Sequence, residues 1–378
     1  MRRILKMIFI IVGALLIIGT VAFVISTDNL AQFGAGAKGE RLAKMKRSPN
    51  FDGEKFINPV ETSTSWDFGQ FLTMVKRSFF GKEERSPKKQ IDIVELDSSS
   101  FDGYSSHDLR VTWMGHSSIF LEIDGFRLLI DPVWSKRCSP SSLGGPERFH
   151  PTPIALDGLP ELDAVLISHD HYDHLDKDAV CRLAETGVRF IIPLGVGAHL
   201  ERWGIDQSQF TEMDWWDSGS PNNSNLTITA TPARHFSGRG LFIGANNTLW
   251  LSWAIIGPKH RVFFSGDTGE FPGLAEIGDK FGPFDLTMIK CGAYDPLWPD
   301  IHLNPEQAVQ AHLTLKGEIL LPIHWGTFNL AFHDWFEPPE RIWRAAELHQ
   351  VKAIFPRPGQ IVSIADPPTV DYWWREYK

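Results

Sequence analysis

The chain has 378 residues, 43% hydrophobic and 22% charged, a globular balance that excludes extended disorder and suits one large domain or two modest ones. Its formal net charge is −9, and no basic patch stands out beyond Lys38–Arg47, so nucleic acid is excluded as an expected partner. Three widely spaced cysteines, Cys138, Cys181 and Cys291, exclude a fully paired disulfide framework and a cysteine-based zinc site.

Residues 1–27 read as a membrane signal. Met7 to Ser26 carries no charge, and about twenty helical residues span roughly 30 Å, the thickness of bilayer hydrocarbon. Behind the basic head of Arg2, Arg3 and Lys6, this run predicts an uncleaved single-pass anchor. The competing reading is a cleaved secretory signal, although the run exceeds a usual signal core and no clean A-x-A site follows. The basic head favours an extracytoplasmic or periplasmic body, while Lys38, Arg41, Lys44, Lys46 and Arg47 pull the other way. Residues 28–105 read as an N-terminal extension. In it Phe51–Val60 and Trp66–Phe80 are able to pack on the body, and Lys82–Lys89 reads as a charged loop.

Residues 106–378 form the main domain. Short apolar runs closed by polar or glycine turns predict strands at Arg110–Trp113, Ser118–Ile123, Arg127–Ile130, Ala164–Ile167 and Phe190–Pro193. Further strands are predicted at Leu226–Thr231, Thr248–Ile256, Arg261–Phe264, Leu286–Ile289 and Ile319–Ile323. Helices are predicted at Lys177–Glu185, Pro305–Leu313 and Pro338–Leu348, two of them opening on proline, which is tolerated in a first helical turn. Strands interleaved with helices predict layered sheets covered by helices, an α/β architecture.

The chemistry falls at strand ends. In AVLISHDHYDHLD, His169, His171, Asp173 and His174 follow an apolar strand at once. Imidazole nitrogens and a carboxylate suit zinc and similar divalent ions, and four such groups in one loop suit two neighbouring ions better than one. His235 in TPARHFSGRG, Asp267 in FFSGDTG and His324 in LPIHWGTF occupy the same kind of place. Each alone reads more readily as a structural residue; their shared position makes them candidates for the same centre.

H-x-H-x-D-H with the distant His, Asp and His resembles the metallo-β-lactamase superfamily. The segments WMGHSS, LLIDPVWSKRCSPSSLGGPERF, MDWWD, FGPFDL, GAYDP, HLNPEQAV and EPPE narrow the resemblance to its N-acylphosphatidylethanolamine-hydrolysing phospholipase D branch, over about residues 109–365. The resemblance implies a metallo-β-lactamase αββα sandwich, two mixed β-sheets face to face with helices outside. It also implies two zinc ions. His169, His171 and His235 would hold one, Asp173, His174 and His324 the other, and Asp267 would bridge them. The residue types alone equally admit iron or manganese. Two such ions can generate a hydroxide nucleophile near neutral pH, with Asp173, Asp267 and His302 as the catalytic candidates.

Other residues are candidates around this centre. Asp131 can fix a ligand histidine through its second N–H, or serve an Asp-Pro turn. His116 can line the site or cap a turn. Tyr172 can donate to a phosphate oxygen or simply pack, and Trp325, with Trp215, Trp216 and Phe328, can border a lipid groove or the core. Ile301 stands where the branch carries glutamine, which bears on the head group. The expected activity is phosphodiester hydrolysis of an N-acylphosphatidylethanolamine-like phospholipid to phosphatidic acid and N-acylethanolamine. A lactone, thioester or other ester is the alternative substrate, and a non-catalytic metal-binding scaffold the alternative class. Oligomeric state has no signal in the sequence.

Overall fold

The computed structural model describes residues 31–64, 67–221, 224–240 and 245–378, together with Gly13, Leu15, Leu16 and Gly19. Among the described residues no helix is long and apolar enough to cross a membrane. This corrects the expected membrane localisation, both the single-pass anchor and the extracytoplasmic or periplasmic body inferred from it. Nearly all of Met7–Ser26 lies outside the described residues.

Among the described residues, two seven-stranded mixed sheets make the body. In the first, β1 (Leu109–Gly115), β2 (Ser118–Ile123) and β3 (Phe126–Ile130) run antiparallel, then β4 (Ala164–Leu166), β5 (Phe190–Pro193) and β6 (Phe210–Met213) continue in parallel. The second starts antiparallel with β7 (Ser218–Gly219), β8 (Thr227–Thr231), β9 (Ser252–Ile256) and β10 (Arg261–Phe264). It becomes parallel through β11 (Phe284–Lys290), β12 (Gly317–Ile323) and β13 (Lys352–Ala353), while β14 (Ile361–Ser363) closes the first sheet beside β1. The central strands are buried on both faces, as near-continuous runs such as RVFF and the ILLPI of β12 require. The predicted strand Thr248–Ile256 begins only at Ser252, because Leu249 and Leu251 give their N–H groups to Leu194 and Ser168 instead.

Helices cover the sheets. α1 (Gly39–Met45) and α2 (Phe68–Phe80) fall within residues 28–105, and α3 (Lys177–Ala184) and α4 (Gly197–Arg202) belong to the first half of the sandwich. α5 (Gly273–Phe281), α6 (Pro305–Thr314) and α7 (Glu337–His349) belong to the second. Asp176 caps α3, and Asn304 with Gln307 forms a capping box on α6 ahead of Pro305. Phe51, Phe56 and Ile91 of residues 28–105 are buried in the same core as the sheets.

Candidate metal centre

The parallel strands deliver the candidate groups to one edge of the sandwich. β4 ends at Leu166, and a tight turn follows in which Leu175 donates its N–H to the His171 carbonyl at 2.8 Å. That turn folds His169, His171, Asp173 and His174 inward before α3 begins. The second sheet supplies His235 after β8, Asp267 after β10 and His324 directly after β12.

Two groups of ligand atoms result. His169 Nε2 and His235 Nε2 lie 2.9 and 3.3 Å from His171 Nδ1. Asp173, His174, His324 and His116 form the second group. Asp267 Oδ2 reaches both, standing 3.1 Å from His324 Nε2, 3.5 Å from His174 Nε2 and 3.7 Å from His235 Nε2. All seven sequence candidates for metal ligation therefore converge.

Hydrogen bonding does not account for this convergence. His174 Nε2, His324 Nε2 and Asp267 Oδ1 are buried without a hydrogen-bond partner, although carboxylate oxygens lie near the two nitrogens. A neutral imidazole nitrogen facing another at about 3 Å is unfavourable unless a proton or a cation sits between them. Burial pushes the His169 imidazole well below its ordinary range, and neighbouring imidazoles add to that. Burial disfavours charge on Asp173 and Asp267, yet the facing imidazoles hold both well below the usual carboxylate range. Anionic carboxylates among inward-aimed imidazoles fit a pair of divalent cations. No disulfide or cysteine competes for the site, since all three cysteines are free and none belongs to either group.

Supporting groups set the geometry. Asp131 accepts from His174 Nδ1 at 2.7 Å, from the Ser168 N–H at 2.7 Å and from Ser168 Oγ at 2.6 Å. His235 Nδ1 donates to the Ile301 carbonyl at 3.0 Å, so the backbone of Ile301, and not its side chain, serves the centre. His116 Nε2 lies 2.9 Å from Asp173 Oδ2, inside the centre rather than at a turn on the surface. Asp131, His116 and His324 adopt φ of 44°, 55° and 67°, a left-handed conformation that costs a non-glycine residue about 1 kcal/mol or more. Gly292 lets the chain pass His324, since a Cβ there would stand 2.0 Å from the His324 carbonyl oxygen.

His302 lies beside the centre, its Nδ1 3.9 Å from Asp267 Oδ2 and 2.5 Å from Lys290 Nζ. Lys290 was not among the sequence candidates. It is fully buried at the end of β11, donates to the Gly292 carbonyl at 2.6 Å, and burial pushes its pKa down to about 7. Its signal was a charge closing an apolar strand at the edge that carries Asp267 and His324. A cavity of about 420 Å³ opens beyond His302, lined among others by Arg77, Tyr294, Phe332, His333 and Arg341.

Several aromatic candidates turn away from the centre. The Tyr172 hydroxyl donates to the Arg239 carbonyl at 2.7 Å, so it is not free to meet a phosphate. Trp325 is buried and packs in one cluster with Trp113 and Trp373 at 5.2 and 5.3 Å, the core position of its two readings and not the groove. Trp215 is also buried, bonding the Trp250 carbonyl, and Trp216 lies under Lys280. Phe328 packs edge-on against His116 at 5.3 Å.

Comparison with known proteins bears on the family and the fold. Residues 126–325 match the beta-lactamase superfamily domain. An uncharacterized protein of Mycobacterium tuberculosis is 46% identical over 91% of this chain and 92% of its own length. N-acyl-phosphatidylethanolamine-hydrolyzing phospholipase D 1 of Caenorhabditis elegans is 36% identical over 78% of this chain and 87% of its own. The solved structure of Igni18, a metallo hydrolase from Ignicoccus hospitalis, shares the fold with a TM-score of 0.53 at 24% identity, covering 68% of this chain and 97% of that one. The chain belongs to the beta-lactamase superfamily and is a metal-dependent hydrolase of it.

Proposed function

We propose that this chain is a phospholipase D-type phosphodiesterase that cleaves N-acylphosphatidylethanolamine-like phospholipids to phosphatidic acid and N-acylethanolamine. The observation that carries the reading is Asp267 Oδ2 within reach of both histidine groups, with a buried lysine and an imidazole on one side and an open cavity beyond. The substrate class rests on the likeness to the Caenorhabditis elegans phospholipase. Residues 106–378 would be the hydrolase domain and residues 28–105 its extension.

In this reading His169, His171 and His235 would hold one ion, Asp173, His174 and His324 would hold the second, and Asp267 would serve both. Zinc suits the nitrogen-rich donor set, and iron or manganese would be accepted by the same atoms. Bound ions supply Lewis acidity toward the phosphoryl oxygens and a nucleophile from water near neutral pH. The protein's own groups do the rest. His116 holds the Asp173 carboxylate in place, and Asp131 fixes the His174 tautomer so that Nε2 faces inward. Lys290 donates to His302 Nδ1, so that as Nε2 gives its proton to the departing alkoxide, Nδ1 takes one from Lys290 Nζ and the ring stays neutral. The cavity that His302 lines then receives the alcohol product.

The test is product analysis by mass spectrometry. Purified, metal-quantified protein and its Asp173→Asn variant each meet a phospholipid extract spiked with N-acylphosphatidylethanolamine. Metal-dependent phosphatidic acid and N-acylethanolamine, lost in the variant, are the expected result. Two bound ions with no lipid turnover would overturn the phosphodiester reading and direct the search to lactones and thioesters.

A further inference from the structure

We infer that residues 31–62 of the N-terminal extension are a positioning element for one half of the metal centre. They fasten the loops that carry His169, His171 and His235 from behind, whereas the half formed by Asp173, His174 and His324 is fastened by the two-sheet body itself. The inference rests on the ligand assignment proposed above and adds to it an unequal dependence of the two ions on the extension.

The bonds nearest the ligands divide, although the tie through Arg239 also reaches Leu175 beside His174. Asn58 makes two bonds to the His235 backbone, accepting its N–H at 3.0 Å and donating to its carbonyl at 2.7 Å. The Ala35 N–H donates to His199 Nδ1 at 3.0 Å, and His199 Nε2 donates to Asp170 Oδ2 at 3.2 Å. Asp170 is the buried residue between His169 and His171, and its other oxygen accepts the Gly238 N–H at 2.7 Å. The Gln32 carbonyl accepts Arg239 Nε at 2.8 Å, and the same guanidinium donates to the Asp170 and Leu175 carbonyls at 2.7 and 2.8 Å. One buried arginine thus ties the extension to both ends of the metal loop. Trp203 secures the strap by donating to the Ala31 carbonyl at 2.7 Å.

The other half has different supports. Asp131, directly after β3, holds His174, and the His116 carbonyl, directly after β1, accepts the His324 N–H at 2.9 Å. Thr327 Oγ1 accepts the His116 N–H at 2.6 Å. Groups that orient metal ligands commonly set affinity by about 10- to 100-fold, so losing the extension's bonds should weaken one ion and spare the other.

Gly34 offers a sharp perturbation. It holds φ of 69° against His199, and a Cβ there would stand 2.1 Å from His199 Nδ1. A valine is excluded both by space and by conformation.

The experiment measures the metal-to-protein ratio of the full-length chain by elemental mass spectrometry, after zinc loading and dialysis against graded chelator. Wild type, Asn58→Ala, Asn58→Asp and Gly34→Val are compared, with circular dichroism and thermal unfolding as checks on the fold. Wild type should retain two ions. Asn58→Ala should release one of them at about 10- to 100-fold lower chelator strength and keep the second unchanged. Asn58→Asp, which retains the acceptor for the His235 N–H, should fall between the two. Retention of both ions at wild-type strength, or their joint release from folded protein, would overturn the inference. Asn58 is half-buried and decides the matter even where Gly34→Val does not fold. A wild-type chain that binds no ion would instead overturn the ligand assignment, and this inference with it.

Discussion

Asp131 accepts three hydrogen bonds with both of its oxygens and is fully buried. Asp131→Ala would leave the buried Ser168 N–H unpartnered and His174 Nδ1 with only Ser168 Oγ at 3.4 Å. Such orphaned groups cost about 1–3 kcal/mol each, so chemical denaturation should show a loss of several kcal/mol together with at least about 10-fold weaker metal retention. A variant with intact metal binding would reduce Asp131 to its turn. Lys290 poses the opposite balance. Burial lowers its pKa from 10.5 to about 7, with Asp267 opposing the shift. Between those values the unfolded chain holds a proton that the folded chain does not, so stability rises as pH climbs from about 7 toward 10.5. The rise is worth roughly 3–5 kcal/mol at most. In metal-free protein, Lys290→Met should abolish it, so that unfolding curves of variant and wild type converge with rising pH and the variant is the more stable near pH 6. The same variant should lose turnover by about 10-fold or more if the His302 proton serves the leaving group. A variant that keeps full turnover would remove Lys290 from the chemistry.

At the scale of elements, the ligand-bearing strands were legible because burial on both faces writes an apolar run that ends in polar groups. β4, β10 and β12 follow their predicted runs to within three residues. The short strands β6, β7, β13 and β14 were not legible, since two- to four-residue pairings are decided by the sheet edge they meet and not by their own pattern. The tryptophan count misled for a similar reason: composition marks Trp325 as amphipathic, and only the packing shows it clustered with Trp113 and Trp373. The C-terminal turn, which buries Trp373, Trp374 and Tyr377, had no sequence signal either. It is held to α7 by Glu340, which accepts from Arg375, Lys378 and Trp374. These bonds, the Arg375 bond first, lower the Glu340 pKa to about 2. The associated stability is present above the ordinary value near 4.5 and is lost as pH falls from there through about 2. Because Arg375 and Lys378 are 40% and 34% exposed, solvent screening leaves about 2 kcal/mol of it. Glu340→Gln should lower stability by that amount at pH 7, and urea titrations should show the gap closing toward pH 2. A gap independent of pH would assign the loss to packing instead.

For the molecule as a whole, the decisive feature is that neither sheet carries a complete centre. His169, His171, Asp173 and His174 follow β4 of the first sheet, while His235, Asp267 and His324 follow β8, β10 and β12 of the second. Ions bound there would join the sheets at the edge where the two strand sets end. Without ions that edge holds two converging carboxylates, Asp173 and Asp267, beside His174; burial opposes a proton on His174, but Asp267, Asp173 and Asp131 together raise its pKa well above the ordinary value. A proton and a metal ion therefore compete for His174, and acidification should release metal. Binding restricted to the folded state stabilises it by about 2.7 kcal/mol per site at a hundredfold excess over Kd, so chelation should lower the unfolding temperature by several degrees. The loss should also be local. Hydrogen exchange of the chelated protein should quicken at the amides after β4, β10 and β12, while the opposite ends of the same strands, held by the continuous core, stay protected. Uniform acceleration across both sheets would mean that the ions stabilise the whole sandwich rather than its seam.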